Sequence, residues 1–136
     1  MPPDDVAAEV RGWLRKAESD LRNIALVLPA ADCPFDTVCF HAQQAAEKYL
    51  KGWLTYLGVP FPKVHDLEEL IALLPADERI ALAAADAALL SQLGVAPRYP
   101  GWDDEIDRSV AERAHAVALT VKTAVLAALA ARRFAP

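Results

Sequence analysis

Apolar residues recur along this chain at steps of three and four, the spacing of one face of a helix. Val6, Val10, Trp13, Leu14, Ala17, Leu21, Ile24 and Leu28 form the first such series and predict a helix over about residues 5–28. Pro29 and the segment AADCP close it. A second helix is predicted over about 36–57, stopped by Gly58 and Pro60. The segment KVHDLEELIALLP opens a third, shorter helix, in which Asp66 followed by Glu69 makes a capping-box pattern. An alanine-rich fourth helix is expected over about 77–93, ending at Gly94. After the proline-studded stretch GVAPRYPGWDDE, a last helix is expected over about 105–133. No strand alternation, internal repeat or dividing linker interrupts this series. The expected fold is therefore all-α: a single domain over 1–136, an antiparallel up-and-down bundle of four main helices plus one short helix.

Composition narrows this reading. With 54% hydrophobic residues and only five glycines, the chain has enough apolar surface for a packed helical core. Its net charge of −5 means the surface as a whole does not favour a polyanion, so contact with nucleic acid needs a local cluster of Lys and Arg. Cys33 and Cys39 are the only cysteines, and the opening MPPDDVAAEV is acidic, so neither a disulfide framework nor a secretion signal is expected. The apolar run 114–131 is broken by His115, Thr120, Lys122 and Thr123, a poor membrane span. A cytoplasmic, non-membrane protein is the economical expectation.

On the second helix, Val38, Ala42, Ala45, Ala46, Tyr49, Leu50, Trp53 and Leu57 fill one side. His41, Gln44, Lys48 and Lys51 gather on the other, within an arc of roughly 80°. Two readings fit this strip: the solvated side of an amphipathic helix, or a donor-rich strip that meets phosphate, a base edge or a partner. Glu47 beside it weakens the second.

The ordered blocks WLRKAESDL, FHAQQAAEKYLKGWL, GVPFPKVHDLEELI and RYPG resemble the HEPN family, the higher eukaryotes and prokaryotes nucleotide-binding domain. The resemblance runs over essentially the whole chain. It implies a helical bundle that forms homodimers, often encoded beside a minimal nucleotidyltransferase, in some branches as a toxin held by its partner. It also implies contact with nucleotides or RNA, for which His41, Gln44, Lys48, Lys51, Arg98 and Tyr99 are the candidate residues. No cofactor or metal is implied. Some branches of the family are metal-independent ribonucleases, with an Arg, four to six residues and a His on the last long helix.

Arg108 and His115 in RSVAERAHAVAL have that spacing at its upper limit. Two helical turns apart, they project nearly the same way. Val110, Ala114, Val117, Val121 and Val125 mark the expected core face, and Leu119, Leu126 and Leu129 are expected to share the outer side with the Arg and His. A helix apolar on two sides suits a subunit interface, hence the expected homodimer through the last helix. As an active site, His115 would move the proton and Arg108 would stabilise charge on phosphorus. Ser109 fits the family pattern, but Val117 stands where many ribonuclease branches have Tyr.

The leading expectation is a HEPN module contacting nucleotide or RNA beside a nucleotidyltransferase-type partner. The alternatives are an endoribonuclease built on Arg108 and His115, and a non-catalytic helical adaptor. His65, before Asp66, is expected to fix the entry of the third helix. Cys39 and His41 lack the spacing and the second ligand pair of a zinc site.

Overall fold

The computed structural model describes residues 1–94 and 106–136, and all regular structure in them is helical. In chain order the helices are α1 (Asp4–Val27), α2 (Phe35–Leu57), α3 (Leu67–Leu73), α4 (Ala84–Leu93) and α5 (Arg108–Ala131), with one 3-10 turn at Ala76–Glu78. The four main helices and the short α3 are those the apolar periodicity predicts.

Boundaries follow local chemistry. Asp66 caps α3 by accepting from the backbone N–H groups of Glu68 and Glu69. Asp107 caps α5 by accepting from Val110 N at 3.0 Å, so this helix starts at Arg108 rather than near 105. Gly58 ends α2 in the left-handed conformation, φ 72°, which costs glycine least. The expected start of α4 is corrected: the chain makes a 3-10 turn at Ala76–Glu78, and α4 begins only at Ala84. Residues 79–83 are held off the helix because Ile80 and Leu82 pack against the core while the Arg79 side chain reaches back to Leu74 O.

The bundle is organised around α2, which packs most extensively on α1, next on α5, and also on α3 and α4. That is why Val38, Cys39, Ala42, Ala45, Ala46, Tyr49, Leu50, Trp53 and Leu54 are all buried. A central helix has no broad wet side, and the expected polar face of α2 is corrected accordingly: Lys51 is buried, as are Gln43 and Glu47 beside the strip, while His41, Gln44 and Lys48 are half-buried. Gly94 permits the close approach of α4, since a Cβ there would lie 2.4 Å from Gln43 Cγ.

The core face of α5 is also corrected. Ala111, Ala114, Val117, Ala118, Val121, Val125 and Leu129 are buried, so Leu129 belongs to the core and not to the outer side. Leu126 is half-buried, and Leu119 remains exposed. By length and composition α5 could cross a bilayer. Its buried row lies on the bundle core, and polar bonds fasten its flanks: Arg113 to Asp86 on α4 at 2.6 Å, Lys122 to Glu18 on α1 at 2.8 Å.

Candidate functional site

Of the four side chains expected as one strip on α2, three divide between two buried carboxylates, and Gln44 reaches the Gln43 amide beside one of them. Asp20 of α1, buried, takes His41 Nδ1 on one oxygen at 2.8 Å and Lys48 Nζ on the other at 2.6 Å. His41 and Lys48 are seven residues apart, so two turns of α2 bring both to the same side. The aspartate accepts from each, which places the His41 proton on Nδ1.

Glu47 gathers the second cluster. One of its oxygens accepts from His65 Nδ1 at 2.7 Å and Gln43 Nε2 at 3.2 Å; the other takes Lys51 Nζ at 3.3 Å. Gln43 also donates to His65 O, and its own carbonyl accepts from Gln44 Nε2 at 2.8 Å. The Lys51 ammonium lies 5.6 Å from the Trp13 ring centroid and 5.8 Å from that of Phe61. His41, Gln44, Lys48 and Lys51 thus all have internal partners. His65, still exposed along its side chain, joins the α2–α3 connection to Glu47 and fixes the entry to α3.

On α5, Arg108 is engaged too. Its Nη1 donates to Leu28 O at 2.7 Å and its Nη2 to Ala30 O at 3.0 Å, while the guanidinium carbon lies 5.1 Å from the Phe35 ring centroid. This fork satisfies two carbonyls at the end of α1 and holds the α1–α2 connection onto α5. His115, about 10.5 Å further along the axis by helical rise, is half-buried and has no hydrogen-bond partner among the described residues. Burial pushes its pKa below the ordinary histidine value. A titration of the three histidines by NMR should place His115 below 6.5. Because the unfolded chain then binds the proton more readily, His115 should cost stability as pH falls through 6.5 toward its folded value. His115→Gln should remove that dependence.

Cys39 is a core thiol pushed up to about 11 by burial, with the charges of Asp36 and Cys33 adding to it, which makes it a poor metal ligand or nucleophile. Arg98 and Tyr99 lie outside the described residues.

The HEPN domain family model matches residues 10–128. The chain belongs to the HEPN family. Among solved structures, this HEPN domain is similar to TT1696 from Thermus thermophilus, at 29% identity and a TM-score of 0.74, over 86% of this chain and 95% of that one. It also shares its fold with ST0689, an archaeal HEPN homologue, at 24% identity and a TM-score of 0.71, over 88% and 97% of the two chains. No curated protein matches it.

One group of residues escapes the reading of the sequence. Arg11, Arg15, Ser19 and Arg22 succeed one another on α1 at steps of four, four and three, and together they line a groove. The signal is present in the same periodicity that locates the core, applied to cations instead of apolar residues.

Proposed function

We propose that this HEPN domain is a binding module that contacts nucleotides or RNA, works beside a nucleotidyltransferase-type partner in a toxin–antitoxin-like arrangement, and pairs with a second copy through α5. Family membership supports a nucleotide- or RNA-related role. The observation that carries the choice of a module over a nuclease is the engagement of Arg108. Its fork is engaged by Leu28 O and Ala30 O, so stabilising charge on phosphorus would require giving up both bonds and depriving Leu28 O of its donor.

The outer face of α5 supports the homodimer. Ala116, Leu119, Thr120, Thr123 and Ala127 are exposed, uncharged and mostly small, so a second helix can approach closely along them. An endoribonuclease remains the second reading because of His115, whose lowered pKa keeps the imidazole neutral and able to accept a proton near neutral pH. Incubating mixed-sequence RNA with the purified chain in EDTA separates the two. Neither the wild type nor His115→Ala should cleave it; metal-free cleavage that His115→Ala abolishes would replace the module by the enzyme.

A further inference from the structure

The groove along α1 is about 740 Å³ in volume, within the range of small-ligand sites. Its floor is apolar, made by Leu14 and Leu126 with the buried Tyr49. Arg11, Arg15 and Arg22 stand along it over about 16 Å of helix axis. In a protein of net charge −5, such a row is the kind of local basic patch that contact with a polyanion needs.

The charges within the groove decide its character. Glu18 is the acidic side chain in its lining, and that carboxylate is already engaged: Lys122 Nζ sits at 2.8 Å and the Tyr49 hydroxyl donates to the same oxygen. Burial alone would raise the Glu18 pKa, but the bonds from Lys122 and Tyr49 outweigh it and hold the group below its ordinary value. Glu18 is therefore ionised and balanced by Lys122, leaving the arginines uncompensated. Arg15 and Arg22 have neither an ion pair nor a hydrogen bond among the described residues, and both are exposed. Arg11 is aimed by its own contacts: Nε donates to Ala135 O at 3.0 Å, and the guanidinium carbon is 4.7 Å from the Phe134 ring centroid. No carboxylate meets its terminal nitrogens among the described residues.

We propose that this groove is the domain's nucleotide-phosphate site, with Arg11, Arg15 and Arg22 forking onto phosphate oxygens and the Leu14–Leu126 floor receiving the apolar face of a base or sugar. Guanidinium groups suit this task because their paired N–H donors match phosphate geometry. The shared chemistry is a phosphorylated nucleotide, supplied either as a free nucleoside triphosphate or as the backbone of a single-stranded RNA. The proposal rests on the nucleotide- or RNA-contacting reading above and assigns it a place on α1, away from the α2 strip and from Arg108.

Two fluorescent probes, a labelled ATP and a short labelled oligouridylate, should be titrated with the full chain at low and moderate salt. Arg15→Ala combined with Arg22→Ala changes exposed, unpartnered side chains, so the fold should survive, as a circular dichroism spectrum can verify. That variant should lose tenfold or more in affinity for whichever probe binds, whereas Lys16→Ala with Lys63→Ala, which removes as much charge outside the groove, should stay within twofold. For the RNA probe the salt slope should also shrink by about 1.4, the share of two phosphate contacts on a single strand. Wild-type binding that the double arginine variant leaves unchanged overturns the site alone. If the wild type binds neither probe, the nucleotide-contacting reading fails and this assignment with it. Binding of only one probe, lost in the variant, supports the site and identifies its ligand.

Discussion

Replacing Glu47 by Ala should destabilise the fold by about 3–5 kcal/mol, the usual cost of removing one partner from a buried ion pair. Glu47 accepts from Gln43, His65 and Lys51, and its side chain is only 4% exposed. Without it the Lys51 ammonium, itself on a side chain 8% exposed, is left between Trp13 and Phe61 with no anion. For a domain whose total stability is on the order of 5–15 kcal/mol, the loss should lower the melting temperature by roughly 10–20 °C. The double variant Glu47→Leu with Lys51→Met should regain most of it, because buried ion pairs are close to break-even against apolar residues of similar size. A denaturant melt showing the single variant within about 1 kcal/mol of wild type would mean that water reaches this cluster.

Trp53→Ala should have an effect of the same size, about 3–5 kcal/mol, for a different reason. Trp53 is fully buried on α2 and stacks on Tyr56, ring centroids 5.5 Å apart. Its Nε1 donates to Glu78 O at 3.4 Å, and the Arg132 guanidinium, paired with Glu78, lies 4.8 Å from its ring centroid. One side chain thus joins α2 to the 3-10 turn and to the C-terminal end of α5. Removing it opens a cavity and leaves Glu78 O without that donor, so the melt should shift to lower denaturant. Trp53→Phe, which retains most of the volume, should cost distinctly less. Equal losses in the two variants would show that the hydrogen bond, not the packed ring, carries the effect.

Both clusters bear on why the bundle is more readable than its site. The periodicity of Val6 to Leu28 and the cap at Asp66 are local, and each acts within a few residues of itself. Such signals survive in the sequence because a helix repeats every 3.6 residues wherever it is packed. The beginning of α4 differs from its expected place for the converse reason: the alanines near 77–83 favour helix locally, while packing of Ile80 and Leu82 bends the chain otherwise. Leu129 reads as outward-facing because α5 carries apolar residues on two sides, and only the position of α2 says which of them it covers.

The candidate site divides in the same way. The sequence places His41, Gln44, Lys48 and Lys51 on one arc of α2, and the helix does carry them. It does not show that Asp20, twenty-one residues before His41, takes two of those groups, or that Glu47 is the buried centre of the rest. Nor does it show Arg108 turned onto Leu28 O and Ala30 O, eighty and seventy-eight residues away. By itself the sequence determined the helices, their order and membership of the HEPN family. Which cations are spent inside the molecule and which, like Arg15 and Arg22, are left unpaired was decided by the tertiary structure alone. Helical periodicity needs only neighbours along the chain, whereas the partner of a charge is set by which helix packs beside it.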